Sequence, residues 1–291
     1  MNNSISQNVD FDNLFPDNRQ EGKTVLEQAQ LVMLRMFKII DYICRKNNLK
    51  YWMCSGTLLG AIRHQGFIPW DDDLDICMIR EDYEKFLKIA QTDLPEDLFL
   101  QTRETDANYD YLALPCKIRD KKSLIISNGL ENKKYNMGLF IDIFPADRYH
   151  VDAKILKKEQ KQKSYFYYLC KALDTELEKN NSIAKRVISY FKPIFKLLTV
   201  RYLKKAESYI NQNRNLGANC LIGHGFDTPW RRYFKYEEIF PVKEYTFEHY
   251  SFFGPCDANA YLIELYGKNY MTPPPPEKRI QQHSYILKPI I

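Results

Sequence analysis

Residues 66–76 read GFIPWDDDLDI, and this stretch decides what fold the chain can adopt. Four carboxylates fall between Asp71 and Asp75, and the apolar run 76–79 follows at once. Side chains of an extended segment alternate between its two faces, so Asp71, Asp73 and Asp75 are expected on one side and the residues between them on the other. The pattern predicts that three carboxylates line one face at the mouth of a buried strand.

Three acids on one face need a compensating cation, because carboxylates about 5–7 Å apart repel one another. A divalent ion such as Mg2+ or Mn2+ suits an all-oxygen site and is usually completed by waters and substrate phosphates. We therefore expect Mg2+ or Mn2+ at this strand. Two alternatives stay open, a solvated acidic turn and a calcium loop. The calcium loop is disfavoured because the spaced acids and central glycine of an EF-hand are missing.

The segment before the acidic run reads YWMCSGTLLGAIRH over residues 51–64. It predicts a short strand, a Ser-Gly turn and a helix from about residue 57 to 63. The free amides and partial positive charge at a helix N-terminus suit a phosphate, which makes Ser55, Gly56 and Thr57 candidate substrate ligands. Together with the acidic strand, this turn forms the second half of a metal-and-phosphate site of the kind that nucleotidyltransferase folds use.

A further carboxylate is expected from residues 138–145, GLFIDIFP, an apolar strand interrupted by Asp142. An aspartate inside such a strand is costly unless it is paired or bound to metal. Asp142 is therefore a candidate metal ligand, and an ion pair with a neighbouring Arg or Lys is the alternative. Asp147, beyond Pro145, is expected in a turn.

Several cations could contact the same phosphate. Residues 112–120, LALPCKIRD, read as a strand with Lys117 and Arg119 on one face, and each is otherwise an ordinary solvated charge. Arg63 leaves the predicted phosphate-facing helix beside the acidic strand and is a candidate substrate ligand. His64 is either a general base or a plain loop histidine.

Residues 55–64 and 66–76 together resemble the signature of the LicD family, relatives of fukutin within the nucleotidyltransferase-fold superfamily. Two later segments are similar to the family as well, residues 138–145 and the run YLIELYG at 261–267 with prolines after it. The resemblance spans about residues 25–285 and is strongest in the first 150. It implies an α/β fold of the α+β kind, with a nucleotidyltransferase-like mixed sheet core and a helical insertion.

The resemblance also implies an activity. Family members transfer phosphocholine from CDP-choline to sugars of teichoic acids or lipopolysaccharide, and fukutin relatives transfer ribitol phosphate. A phosphotransferase acting on a cell-surface glycan precursor is therefore expected. Transfer of another phospho-alcohol, such as ribitol or glycerol phosphate, and a catalytically silent glycan-binding protein are the two rival functions.

In-line displacement at the β-phosphorus of a CDP-alcohol needs alignment of the reactants and neutralisation of charge more than covalent chemistry. Asp73 and Asp75, assisted by Asp71 or Asp142, are the expected catalytic residues and metal ligands. The sequence leaves open which of them accepts the proton of the sugar hydroxyl.

If choline is the headgroup, its quaternary ammonium needs aromatic faces. Trp52 and Trp70 flank the predicted site in the sequence and are the candidates. For each of them, a place in the hydrophobic core is the alternative.

The composition indicates in which cellular compartment the protein is expected. The chain has 291 residues, of which 45% are hydrophobic, as in a globular protein. Its seven cysteines include no C-x-x-C pair, which argues against a zinc knuckle or a disulfide scaffold and for a reducing cytoplasm. Residues 1–24 contain no apolar signal segment, and no run of 18 apolar residues occurs. We expect a cytoplasmic protein associated with the inner face of the membrane.

Residues 151–215 hold 15 Lys and Arg against 6 Asp and Glu, interleaved with aromatic residues. Such a region can rest on an anionic membrane, where a lipid-linked acceptor would be found, and a helical subdomain with a solvated basic face is the competing interpretation. Nucleic acid is not expected as a partner, because no recognised binding module accompanies the charge.

Four regions are predicted: a tail at 1–23, a catalytic core at 24–150, a basic and aromatic helical insertion at 151–220, and C-terminal strands, a helix and a Pro-rich arm at 221–291. The predicted helices are 24–46, 81–91, 152–173, 181–200, 201–213 and 257–266, and the further strands are 98–102, 221–226 and 247–253. Four prolines at 273–276 cannot continue a helix, so this arm is expected to be extended and to lie over the site.

Overall fold

The computed structural model of the chain describes residues 9–109, 116–127, 133–173, 190–281 and 286–291. Residues 112–115 of a predicted strand, 181–189 of a predicted helix and 1–8 of the predicted tail lie outside this described part. Within it, the predicted mixture of helices and strands is confirmed.

The described helices are α1 (Phe11–Leu14), α2 (Val25–Lys46), α3 (Ser55–His64), α4 (Arg80–Asp93), α5 (Ala153–Leu173), α6 (Lys192–Asn213), α7 (Tyr236–Ile239) and α8 (Ala258–Tyr266). The strands are β1 (Tyr51–Met53), β2 (Asp75–Ile79), β3 (Leu98–Gln101), β4 (Cys116–Asp120), β5 (Leu124–Ile126), β6 (Phe140–Tyr149), β7 (Leu221–His224), β8 (Tyr233–Lys235), β9 (Lys243–Phe247), β10 (Tyr250–Gly254) and β11 (Ile286–Lys288).

One mixed sheet forms the centre of the described chain. Its strands lie in the order β1-β2-β6-β4-β3, and β7 pairs with the far end of β6 and with β8. β2 runs parallel to β6, whereas the other pairs in this sheet are antiparallel. A sheet of both kinds, surrounded by helices, confirms the predicted fold class.

The long helix α2 covers one face of this sheet. Its start is the predicted capping box, in which the Thr24 side chain accepts from the Glu27 amide and the Glu27 side chain accepts from the Thr24 amide. The predicted apolar stripe from Ala29 to Ile43 is buried and packs against β4 and β6. Val25 was assigned to the same stripe but is exposed, because it occupies the first turn beyond the edge of the sheet.

The expected turn at Asp147 is wrong, because β6 continues through Pro145 to Tyr149. Pro145 has no N–H to donate, yet its carbonyl accepts from the Gly225 amide at 2.8 Å, so the strand continues beyond it. Asp147 is buried in this strand and accepts from Arg80 at 2.7 and 2.9 Å, and Arg80 also binds Asp227.

The predicted strand 247–253 is in fact the second half of a hairpin. Glu248 and His249 adopt positive φ angles of 49° and 65°, and Phe247 pairs with Tyr250 across this two-residue turn. Neither residue is a glycine or asparagine, so local sequence gave no turn signal. The tertiary contacts that hold the turn are the bonds from the Glu248 amide to the Gln65 carbonyl and from the Phe67 amide to the Glu248 side chain.

The two helices predicted at 181–200 and 201–213 appear as a single helix, α6, over their described part. α6 begins with Pro193 in its first turn, where a missing N–H costs little, and no breaker follows near residue 200. α5 and α6 pack on each other around a second apolar cluster that includes Tyr149, Phe166 and Tyr202. None of the described helices is both long enough and apolar enough to cross a bilayer.

Replacing Arg80 by alanine should lower the free energy of unfolding by about 3–5 kcal/mol, because two carboxylates, Asp147 and Asp227, would lose their buried partner. Arg214→Ala is the matched control, since Arg214 pairs with Glu84 at the surface and should cost at most about 1 kcal/mol. Urea unfolding of both variants measures the difference, and equal losses would contradict it.

Candidate functional site

The acidic run enters the sheet with the predicted alternation. Asp72 and Leu74 are buried, whereas the side chains of Asp71, Asp73 and Asp75 remain partly exposed on the other side. The carbonyl of Leu74 accepts from the Asp142 amide at 2.9 Å, which fixes the register between this run and β6. The three odd-numbered acids therefore lead along one face onto the sheet.

A row of charged side chains crosses the sheet at this point. Asp75 on β2 is the register partner of Asp142 on β6, and Asp142 is the register partner of Lys117 on β4. Register partners place their side chains on the same face, so the three groups are neighbours. The Lys117 ammonium forms an ion pair with Asp142 and lies 3.6 Å from the centroid of the Phe140 ring. The ion-pair alternative for Asp142 is thus confirmed.

Two carboxylates of the row share the single ammonium of Lys117. Burial, followed by the charges of Asp73, Cys54 and Asp142, raises the pKa of Asp75 well above its usual range, and Lys117 opposes this rise. Burial lowers the pKa of Lys117, although the Asp142 charge opposes that shift. A cation bound beside Asp75 would favour the charged form of this carboxylate.

The N-terminus of α3 faces the acidic run. The helix begins at Ser55 without a capping side chain, and Ser55 itself is partly exposed. A Cβ atom on Gly56 would lie 2.9 Å from Oδ2 of Asp71, so only glycine lets this carboxylate approach the first turn closely. Thr57 was expected to bind substrate, but its buried hydroxyl accepts from the Asp75 amide at 2.8 Å. Thr57 therefore positions the acid strand.

The C-terminal arm lies over Trp70, as predicted. The guanidinium of Arg279 sits 5.3 Å from the centroid of the Trp70 ring. Arg63 donates from Nη1 to the Tyr270 carbonyl at 2.9 Å and from Nε to Nε2 of His64 at 2.9 Å. Because that ring nitrogen already accepts a hydrogen bond, His64 is not free to act as a base through it.

Two predicted ligands are integrated into the protein interior. Arg119 is 5% exposed and donates to the Gln101 side chain at 2.6 Å and to the Gly138 carbonyl at 2.7 Å, so these two donor groups are used within the protein. Trp52 is 2% exposed and packs edge-on against Phe240, which places it in the core. The core alternative for Trp52 is therefore confirmed.

One residue of the site carried no chemical prediction. Burial and the nearby charges of Asp75, Cys54, Asp71 and Asp73 raise the pKa of the Tyr266 hydroxyl, so this phenol is a neutral hydrogen-bond donor among the acids. Tyr266 ends α8, far along the chain. The signal that could have found it is its place in the 261–267 segment of the resemblance.

A divalent cation fits this site only in part through protein ligands. Across the described ranges, no group of three or more His, Cys, Asp or Glu side chains is placed so that it could hold a metal ion. Asp142 is engaged by Lys117, and Asp71 lies beside Gly56. Metal binding by Asp73 and Asp75 stays a prediction, and the remaining coordination positions of such an ion would fall to substrate oxygens and water.

A mixed sheet with carboxylates on neighbouring strands beside an uncapped helix N-terminus defines a nucleotidyltransferase-type protein. Residues 48–172 match the family described as LicD/FKTN/FKRP, nucleotidyltransferase domain. These residues therefore form a LicD-type nucleotidyltransferase domain, and the resemblance drawn from the sequence is confirmed.

The chain is also similar to individual proteins. The chain is 28% identical over 279 residues to the lipopolysaccharide cholinephosphotransferase LicD of Haemophilus influenzae, covering 91% of this chain and 99% of the relative. It is 37% identical over 142 residues to an uncharacterized protein of Rickettsia prowazekii, covering 45% of this chain and 49% of that one. A 65-residue segment is 49% identical to an uncharacterized protein of Rickettsia typhi and covers 22% of this chain and 21% of the other.

Replacing Lys117 by methionine should destabilise the protein by about 3–5 kcal/mol, because Asp75 and Asp142 would lose their ammonium partner. Adding Asp142→Asn should recover part of this loss, with a coupling of about 0.5–3 kcal/mol in a double-mutant cycle measured by urea unfolding in EDTA. Lys122→Met, which removes a surface partner of Asp97, is the control. Strictly additive effects of the two site changes would contradict the charge row.

Proposed function

We propose that this protein transfers phosphocholine from CDP-choline to a sugar of a cell-surface glycan precursor, of the teichoic acid, lipopolysaccharide or capsule type, with Mg2+ or Mn2+ as cofactor. The observation that carries the proposal is the row of Asp75, Asp142 and Lys117 next to the N-terminus of α3. This arrangement offers carboxylates for a cation and amide groups with an ammonium for phosphates.

The prediction of an enzyme, and of a phosphotransferase, is confirmed at the level of the family. The choline headgroup is the finer proposal. Its support is the name of the Haemophilus influenzae relative, a cholinephosphotransferase that aligns over 99% of its own length.

Each side chain then has a role in binding the donor. We place the diphosphate of the donor between the first turn of α3, which begins at Ser55 and Gly56, and the acid strand, where the free amides of α3 donate to its oxygens. Lys117 contributes positive charge from the sheet side. Asp73 and Asp75 would hold the cation, which when bound neutralises the charge that develops on the leaving CMP.

The sugar hydroxyl of the acceptor needs a base, and the positively charged choline headgroup needs an aromatic surface. One carboxylate of Asp73, Asp75 and Asp142 accepts the proton of the sugar hydroxyl. Trp70 is the proposed aromatic face for choline, since its ring already accepts the Arg279 guanidinium at 5.3 Å and a quaternary ammonium interacts with a ring in the same way.

Incubation of the purified protein with Mg2+, a lipopolysaccharide or teichoic acid acceptor, and CDP-choline, CDP-ribitol or CDP-glycerol tests the proposal through CMP release. CMP is expected from CDP-choline, EDTA should abolish the reaction, and Mg2+ or Mn2+ should restore it. Asp73→Asn and Asp75→Asn should each lower kcat about 100-fold or more. Asp93→Asn at the end of α4 is the matched control and should not change kcat.

Two other results would select the rival functions. CMP release from CDP-ribitol or CDP-glycerol but not from CDP-choline would reject choline as the headgroup. It would still support a transferase that uses a CDP-alcohol. No release from any donor, no Mn2+ binding and unchanged cellular function of both aspartate variants would select the catalytically silent glycan-binding protein.

Contact with the inner face of the membrane is a separate part of the proposal. On α6, Ile194 and Leu197 are 51% and 54% exposed, on the side away from buried Tyr202. Lysines at 192 and 196 flank them, as in helices that lie on anionic membranes.

The variant Ile194→Gln with Leu197→Gln should lose most binding to vesicles of phosphatidylglycerol in a sedimentation assay, because the apolar contact is removed. Ile155→Gln, which changes an exposed residue of α5, is the control. Unaltered sedimentation of the double variant, or no binding by the unchanged protein, would contradict membrane contact through α6.

A further inference from the structure

A second concave surface lies beyond the end of β6, between α5 and the loop Pro229–Tyr233. This groove has a volume of about 790 Å3. The lining contains three cations, Lys171, Arg231 and Arg232, and no Asp or Glu among its described residues, although Arg232 lies 3.9 Å from the exposed Glu264 carboxylate next to the groove. A groove of this size and charge is suited to an anionic ligand larger than a single ion.

Aromatic rings form part of its wall. Trp230 is 37% exposed, and Tyr167 carries the guanidinium of Arg231 at 4.1 Å from its ring centroid. Arg231 is further held by a bond from Nη1 to the Ser164 hydroxyl at 3.1 Å. The Tyr233 hydroxyl is buried and has no hydrogen-bond partner among the described residues. The groove therefore offers ring faces and fixed positive charge.

One lining residue of the groove, Trp230, contacts a strand residue close to the charged row. The Trp230 ring packs edge-on against Phe144 at 4.8 Å between centroids. Phe144 follows Asp142 by two residues on the same face of β6, a distance of about 7 Å along a strand. A sugar at the acids and further sugars in the groove can thus belong to one chain.

The loop that presents Trp230 is held in place. The buried ammonium of Lys163, on α5, donates to the carbonyls of Gly225 and Thr228. The Thr228 hydroxyl also donates to the Gly225 carbonyl at 2.9 Å. Because these bonds fix the loop before any ligand arrives, the ring does not have to be ordered on binding.

Building on the proposed transferase function, we propose that this groove binds the glycan acceptor and that the acceptor is an anionic saccharide bearing phosphate or carboxylate groups. Aromatic faces pack against the C–H groups of sugars, and Arg231 and Arg232 pair with the anionic groups. Residues 230–232 are all exposed, so the groove is open to the surface. An open groove lets a longer glycan extend past the site, whereas a nucleoside is usually enclosed.

The chain contains three tryptophans, which makes the test direct. Protein labelled with 5-fluorotryptophan gives three fluorine resonances, and Trp70→Phe and Trp230→Phe identify two of them. Titration with trehalose 6-phosphate, in the absence of donor and metal, should move the Trp230 resonance and leave that of buried Trp52 unchanged. Neutral trehalose should bind about tenfold more weakly, because it lacks the group that pairs with the arginines.

Neutral substitutions of the groove arginines can be compared with neutral substitutions of lysines outside the groove. Arg231→Ala with Arg232→Ala should weaken trehalose 6-phosphate binding about tenfold or more. Lys157→Ala with Lys158→Ala removes the same charge from exposed positions of α5 outside the groove and should leave the affinity unchanged within about twofold.

Three results would overturn the acceptor groove. They are no movement of the Trp230 resonance with trehalose 6-phosphate, equal movement with inorganic phosphate alone, or stronger movement with CMP, which would assign the groove to the donor nucleoside. The binding assay uses neither donor nor metal, so it is independent of turnover. CMP release without saccharide binding would reject only the acceptor groove. Saccharide binding without CMP release would reject only the proposed transferase function.

Discussion

The parallel pairing of β2 with β6 is the constraint on which the rest of the site depends. It makes Asp75 and Asp142 direct neighbours on one sheet face, where carboxylates cannot both be charged without a cation nearby. β4, on the other side of β6, brings Lys117 into the same row. A single ammonium pairs with Asp142, and the second carboxylate, Asp75, has a raised pKa. The fold therefore keeps two acids in place with one ammonium between them and the neighbouring strand.

The supporting contacts preserve this arrangement. Thr57 anchors the amide of Asp75 to the first turn of α3, so the helix N-terminus and the acid strand move as one unit. Gly56 leaves the space that the Asp71 carboxylate fills. Positive helix-end amides and negative side chains thus lie close together, and a phosphate and its cation can each find the opposite charge without rearrangement of the backbone.

Features with a local period could be predicted from the sequence. The alternation of Asp71, Asp73 and Asp75, and the buried stripe and capping box of α2, follow from spacing alone. The predictions failed where a partner that is distant in the sequence determines the surroundings of a residue. Asp147 looks like a turn residue until Arg80 approaches from another element, and Arg119 looks solvated until the Gly138 carbonyl and its neighbours surround it. Such contacts depend on strand order, which a single sequence leaves undetermined.

The tryptophans also show that the sequence pattern does not determine the surroundings of a residue. Three tryptophans look equivalent in the sequence, but Trp52 is core, Trp70 lies under Arg279, and Trp230 packs on Phe144. Phe144 lies two residues after Asp142 on the same face of β6, so Trp230 is close to the acid row. A transfer reaction needs two substrates to meet at one phosphorus, and a row of charge with aromatic surfaces close to it gives each substrate its own approach. Under the proposed function, donor and acceptor specificity can change separately, because the side chains proposed for the two substrates do not overlap.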